Sequence, residues 1–87
     1  MSEAKSDSTV LLSVRESLSE YAHEAWSGWM IYMFSKMTLN DDGTATMPKW
    51  AVERWTRQMN TKYSELPESE KDSDRDEADR ILSIINI

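Results

Sequence analysis

The chain has 87 residues, no cysteine and a formal net charge of −6, so it is long enough for one small domain that lacks disulfides and thiolate metal sites. The negative charge argues against binding to extended nucleic acid, because that affinity depends on cations placed against phosphates. No apolar run reaches the roughly 20 residues that span a bilayer, and the polar N-terminus does not resemble a signal peptide, so the sequence predicts a cytoplasmic protein without membrane contact.

The predicted elements begin with a flexible tail over residues 1–8, followed by a single helical domain over residues 9–87. Ser8 or Thr9 is the candidate N-cap of the first helix. From Val10 onward the apolar residues follow the i, i+3, i+4, i+7 spacing of one buried helix face. The face consists of Leu11, Val14, Leu18, Tyr21, Ala22, Ala25, Trp29, Tyr32 and Met33.

A second apolar stripe lies beside the first in the later half of this helix, at His23, Trp26, Met30, Met33 or Phe34, and Met37. We therefore expect other parts of the protein to cover this half on two sides. Gly28 costs a helix about 1 kcal/mol relative to alanine. Its presence is explained either by a kink or by the close approach of another backbone or a ligand.

The segment between Thr38 and Met47 interrupts the helical pattern, with Asp42-Gly43 as the turn and a short extended piece around residues 44–47. It superficially resembles a calcium-binding loop with Gly43 at the sixth position. The first and twelfth positions would then be Thr38 and Lys49, where that loop needs an acid and a bidentate glutamate. The sequence predicts no metal site here.

Pro48 suits the start of a second helix, because the N–H that proline lacks would be unpaired in a first turn. The predicted inward face of this second helix consists of Ala51, Val52, Trp55 and Met59. A second stripe contains Trp50, Arg54 and Arg57. That stripe is either a solvated face on which Glu53 pairs with Arg57, or a stacking surface beside two cations suited to phosphate; the spacing alone favours the solvated face.

Pro67 and the acids after it predict the start of a C-terminal helix, since negative charge is favoured at the N-terminal end of the helix dipole. Asp76 and Arg80 are positioned to pair on the outside of this helix. Its apolar face consists of Ala78, Ile81, Leu82 and Ile85. The fold class predicted for the whole chain is all-α, a compact small bundle of about three helices with irregular connecting loops.

The residues offer little catalytic chemistry but much binding surface. The sequence has no glycine-rich phosphate loop, serine elbow or cysteine nucleophile, and its one histidine, His23, lacks a partner at catalytic spacing. It has four tryptophans, which a domain of this size cannot easily bury together. Exposed tryptophans next to methionines form an adaptable apolar patch, and tryptophans near arginines suit a purine nucleotide.

Two segments resemble the signatures of the ryanodine-receptor (RyR) domain family. The run His23-Glu24-Ala25-Trp26 is similar to the family's opening His-x-x-Trp signature. Residues 63–75 are similar to its closing signature, Tyr-x-x-Leu-x-Glu-x-Glu-Lys-x-x-Asp-Arg. The resemblance covers roughly residues 20–86, and the chain is also similar to small proteins of bacteriophages and prophages.

The resemblance implies a non-enzymatic binding module that holds an adenine nucleotide or an ADP-ribose-like signal without a cofactor. For a phage-encoded member in the host cytoplasm, it implies sequestration of a host defence signal. The signatures contribute His23, Trp26, Tyr63, Lys71 and Arg75 to the candidate ligand-binding set. Physical grounds alone add Met30, Trp50, Arg54 and Arg57.

Two alternatives to nucleotide binding remain open on the sequence. In the first, the tryptophan and methionine patch docks on a host or phage protein, which makes the chain a protein–protein adaptor. In the second, the same patch is buried between copies of the chain in a structural homo-oligomer.

Overall fold

Three helices make up most of the chain, as the sequence predicts. The computed structural model describes the backbone of residues 2–85 and the side chains of residues 9–85. The elements in chain order are α1 (Ser2–Ser35), β1 (Thr38–Leu39), β2 (Ala45–Thr46), α2 (Lys49–Met59), a 3-10 turn (Tyr63–Glu65) and α3 (Glu68–Ile85). The fold is therefore a small all-α bundle with irregular connections, which confirms the predicted class.

The first helix starts earlier than the sequence suggested. It begins at Ser2, so the predicted N-cap at Ser8 or Thr9 is wrong. The segment 2–8 contains neither glycine nor proline, and nothing in it stops a helix that the following residues favour. That residues 1–8 form a flexible tail stays a prediction.

The connection from α1 to α2 is a short β-hairpin that contains the predicted turn and extended piece. Strands β1 and β2 pair antiparallel, with Thr38 opposite Thr46. Gly43 has φ +90°, a conformation that glycine adopts without strain. The Asp42 carboxylate accepts hydrogen bonds from the Thr44 hydroxyl at 2.6 Å and the Thr44 N–H at 3.0 Å, and these bonds lower the pKa of Asp42.

An ion pair between Arg57 and Glu70 attaches α2 to α3. Arg57 donates from Nη2 to Glu70 Oε2 at 2.6 Å, and Glu53 pairs instead with Lys49 at 3.7 Å. The predicted Glu53–Arg57 pair is therefore wrong. The Glu70 side chain is only 13% exposed, and a partner shielded from water attracts a guanidinium more strongly than an exposed neighbour on the same helix.

Helix α3 starts where Pro67 predicts, because the Pro67 carbonyl accepts the N–H groups of Glu70 and Lys71, both at 3.0 Å. A hydrogen bond from the Tyr21 hydroxyl to Glu77 Oε2 at 2.6 Å joins α1 to α3. Arg80 lies 3.9 Å from Glu77, so its ion pair is with this residue and not with the predicted partner Asp76.

The helices cover far less apolar surface than the sequence patterns predict. Among the described side chains, Ala51 alone is completely buried. Val14, Leu18, Tyr21, Ala25 and Met33 are half-buried. Ten residues predicted to face inward are exposed: Leu11, Ala22, Trp29, Tyr32, Val52, Met59, Ala78, Ile81, Leu82 and Ile85.

The expected two-sided cover of the later half of α1 is incomplete, since Met30 and Met37 of the second stripe are half-buried but His23 and Trp26 are exposed. The reason is the length of α1, whose 34 residues extend about 51 Å. Two shorter helices cannot enclose it. The radius of gyration is 18.4 Å, against about 12 Å for a globular chain of this length.

Candidate functional site

A groove lies where α1, α2 and α3 meet, with a volume of about 870 Å³. We call it the interhelical groove. Its floor on α1 consists of Tyr21, Ala25, Gly28 and Tyr32, which are spaced by four, three and four residues and so lie along one side of the helix. Ala25 and Gly28 are small, and a Cβ added to Gly28 would meet nothing within 4 Å. These two small residues therefore leave open space in the groove.

Continuous α-helix on both sides of Gly28 gives no support to a kink as the reason for this glycine. The open space above it, inside the groove, fits the other interpretation, in which a second backbone or a ligand comes close.

Aromatic rings line the groove from α1 across to α2. Trp29 meets Tyr32 edge to face with ring centroids 6.2 Å apart, and Tyr32 meets Trp55 at 6.4 Å. Trp50 extends the row, with its centroid 6.1 Å from that of Trp55. Such pairs contribute about 0.5–1.5 kcal/mol each beyond area burial. Of the three, only Tyr32–Trp55 joins α1 to α2, because each of the others lies within one helix. The outer surface of the aromatic row stays accessible, since Trp29 is 53% exposed.

A smaller depression of about 250 Å³ lies beside the groove, lined by Trp29, Met30, Met33, Trp55 and Gln58. Its flexible methionine side chains can adapt to differently shaped apolar groups.

Carboxylates dominate the rest of the groove. Five line it, from Glu24, Glu70, Asp74, Asp76 and Glu77, against the two guanidiniums of Arg54 and Arg80. Two of the five have partners. Glu70 is paired with Arg57, and this hydrogen bond lowers the pKa of Glu70. Glu77 accepts the Tyr21 hydroxyl, a bond that raises the pKa of Tyr21.

The other three groove carboxylates, Glu24, Asp74 and Asp76, are exposed and have no hydrogen-bond or ion-pair partner among the described residues. They come from two different helices, α1 and α3. The groove therefore combines an apolar, aromatic floor with unpaired negative charge around it, which suits a ligand that is both apolar and cationic.

The structure does not gather the nine sequence-predicted ligand-binding residues into one site. Arg54 lines the interhelical groove, and Met30 lines the adjacent depression. Trp50 packs against Trp55 without lining either. His23 and Trp26 stack on each other outside the groove, with ring centroids 6.2 Å apart and an angle of 23° between the rings.

Three of the predicted residues, Tyr63, Lys71 and Arg75, form a local cluster around the start of α3. Arg75 donates to Asp72 at 2.8 Å and to the Tyr63 hydroxyl at 3.1 Å. Lys71 Nζ lies 5.7 Å from the centroid of the Tyr63 ring and 3.6 Å from Glu68. Lys71 and Arg75 thus form ion pairs with carboxylates of the chain itself, as Arg57 does with Glu70.

Sequence reasoning missed the carboxylates and most of the aromatic lining of the groove. The one signal that pointed there was the regular spacing of Tyr21, Ala25, Gly28 and Tyr32, with small residues in the middle. The convergence of Glu24 with Asp74 and Asp76 has no signal in the sequence, because some 50 residues separate them.

No protein-family model matches the chain, and no curated protein or solved structure is significantly similar to it. The resemblance to the RyR domain rests on the two quoted signatures and stays a prediction. Within the part of the chain that the structure describes, no helix is both long and apolar enough to cross a bilayer.

Proposed function

We propose that the protein is a protein-binding module whose interhelical groove docks a basic, partly apolar segment of a partner protein. The observation that supports this function is the combination of an aromatic floor with five carboxylates against two guanidiniums in one groove. This proposed function is a form of the protein–protein adaptor predicted as an alternative from the sequence. It specifies the groove as the binding site and a basic, partly apolar segment as the partner.

The charge of the groove favours lysine or arginine on the partner. Glu24, Asp74 and Asp76 are unpaired in the described structure, so a cation there gains attraction without displacing an existing partner. A phosphate in the same place would face like charges, which disfavour an incorrect partner by electrostatic repulsion.

The shape of the groove favours a polypeptide over a small organic cation. The floor residues follow the four-three-four spacing along which one helix packs on another. Trp29 and Met59, 53% and 76% exposed, add apolar contact area beside it, as in grooves that bind amphipathic helices.

The test is isothermal titration calorimetry with a synthetic amphipathic helical peptide of leucine and lysine. The control peptide has glutamate in place of lysine. We expect the basic peptide to bind, with an affinity that falls as salt is added, and the acidic peptide not to bind.

Two double variants with the same change in net charge locate the site. Glu24→Gln with Asp76→Asn should weaken binding by about two- to fivefold per carboxylate. Glu16→Gln with Asp41→Asn, at exposed positions outside the groove, should leave the affinity unchanged. Equal losses in both double variants would mean that the peptide responds to overall charge and would overturn the groove as the site.

Nucleotide binding is the second candidate function, and one observation favours it. Trp26 is 60% exposed and lies stacked with His23, and an accessible indole face of this kind can stack on a base. The cations predicted to hold the phosphates are less favourable, because Arg57, Lys71 and Arg75 already have carboxylate partners.

Melting curves with adenine nucleotides and ADP-ribose test this second candidate. A ligand at 100 times its Kd stabilises a fold by about 2.7 kcal/mol, and Trp26→Ala should remove that shift without lowering the melting temperature of the free protein. Unchanged melting curves across all the nucleotides would count against it.

A further inference from the structure

We infer that the depression beside the interhelical groove holds one large apolar side chain of the partner segment, and that it accepts leucine, methionine and phenylalanine alike. This inference rests on the proposed function, since the segment that docks in the groove supplies the side chain. It adds an anchor point and a rule of specificity: the anchor must be large and apolar, whereas its shape is free.

The depression is continuous with the groove. Trp29, Trp55 and Gln58 line both, while Met30 and Met33 line the depression alone. A segment that docks in the groove therefore already contacts the edge of the depression. Because the two cavities share three of the five residues that line the depression, one partner segment can fill both.

The lining of the depression favours an uncharged occupant. None of its five residues is charged, whereas five carboxylates line the groove. A lysine or arginine in the depression would lose hydration without an opposite charge beside it, and that loss is costly. An apolar side chain gains free energy there by leaving water. The two cavities thus divide a basic, partly apolar segment, with its cations in the groove and its apolar anchor in the depression.

The walls of the depression are partly fixed and partly adaptable. Trp55 is half-buried and contacts the rings of Tyr32 and Trp50, with centroids 6.4 and 6.1 Å away. Met30 and Met33 are half-buried as well, but their unbranched side chains have three rotatable bonds and adjust to occupants of different shape. Surfaces with flexible methionines accept several partners. We therefore expect the depression to select its occupant by polarity and size, and not by branching.

Calorimetry with a series of helical alanine–lysine peptides tests the inference on the unmodified protein. The peptides differ at a single central position, which is leucine, methionine, phenylalanine, glutamine or alanine. We expect the first three to bind within about threefold of one another, and the glutamine and alanine peptides to bind about tenfold more weakly. Glutamine matches methionine in length, so this pair isolates polarity. Equal affinities for the leucine, glutamine and alanine peptides would overturn the anchor, and a strong preference for leucine over phenylalanine would overturn its freedom of shape.

A double-mutant cycle tests whether the anchor lies in the depression. Met33→Ala removes part of one wall without changing a residue of the groove. Met37→Ala is the matched control, because Met37 is also half-buried and lines neither cavity. We expect the advantage of the leucine peptide over the alanine peptide to shrink in Met33→Ala and to stay unchanged in Met37→Ala. An unchanged advantage in Met33→Ala would overturn the depression as the place of the anchor.

Failure of this inference is distinguishable from failure of the proposed function. If all the peptides bind equally and Glu24→Gln with Asp76→Asn still weakens them, the groove docks the segment without an anchor, and this inference alone is overturned. If neither these peptides nor the leucine–lysine peptide binds, the proposed function is overturned and this inference with it.

Discussion

Arg57 and Glu70 link α2 to α3 through two hydrogen bonds between one guanidinium and one carboxylate, at 2.6 and 3.4 Å. The structure also shows which carboxylate pairs with Arg57, which the helical spacing alone does not decide. Arg57 pairs with Glu70 and not with Glu53, because folding brings the carboxylate of Glu70, thirteen residues later, next to the guanidinium.

This pair predicts a specific sensitivity to acid. The Arg57 hydrogen bond lowers the pKa of Glu70 below its ordinary value of 4.5, so its stabilising contribution is complete above that value. The contribution is lost as the pH falls through the lower, folded-state pKa. Thermal melts at a series of pH values should show a shallower acid-induced decrease in Glu70→Gln than in the unmodified protein. Glu53→Gln removes an exposed ion pair and is the control. If the melting temperature of Glu70→Gln fell with acid as steeply as that of the unmodified protein, the Arg57–Glu70 pair would not be the source of the acid sensitivity.

Gly28 provides a second prediction at the scale of one residue. An added methyl group meets nothing within 4 Å and improves helix propensity, so Gly28→Ala should stabilise the chain by about 1 kcal/mol, measured by urea denaturation. Gly28→Leu should fill the groove and weaken binding of the basic peptide while the protein stays folded. A stable Gly28→Leu variant with unchanged peptide affinity would show that the groove is not used.

At the scale of elements, the hydrogen bond from Tyr21 to Glu77 is a polar link between α1 and α3. The bond raises the pKa of Tyr21 above its ordinary value of 10.0, so its contribution is present below that value and is lost as the pH rises through the higher, folded-state pKa. Tyr21→Phe should lower the melting temperature at neutral pH, and the deficit should shrink in alkaline solution.

Tyr32→Phe is the control for this link, because the Tyr32 hydroxyl has no hydrogen bond among the described residues. Equal losses in melting temperature for the two variants at neutral pH would indicate that Tyr21 acts through packing alone.

The elements themselves were largely predictable because their signals are local. Pro48 and Pro67 mark the starts of α2 and α3, and Asp42-Gly43 marks the hairpin turn. The start of α1 was not predictable, since a capping residue such as Ser8 permits a helix start without requiring one. Periodicity also identified which residues share a face, for example Leu11 with Leu18, but it does not say what covers that face.

At the scale of the whole molecule, a long first helix and two short ones leave apolar surface that one chain cannot bury. The groove and its charge lay beyond prediction, because they depend on how Glu24 and Asp74 approach across two helices. The acidic groove suits a basic partner, and Trp26, which lies outside the groove, remains available for the nucleotide hypothesis.

The most direct test of the groove as the binding site is an NMR titration of the four tryptophan indole N–H resonances, assigned with single Trp→Phe variants. Trp29 and Trp55 line the groove, whereas Trp26 does not. On addition of the leucine–lysine peptide, we expect large shifts of the Trp29 and Trp55 signals and little change at Trp26. Shifts confined to Trp26, or no shift at any indole, would contradict it.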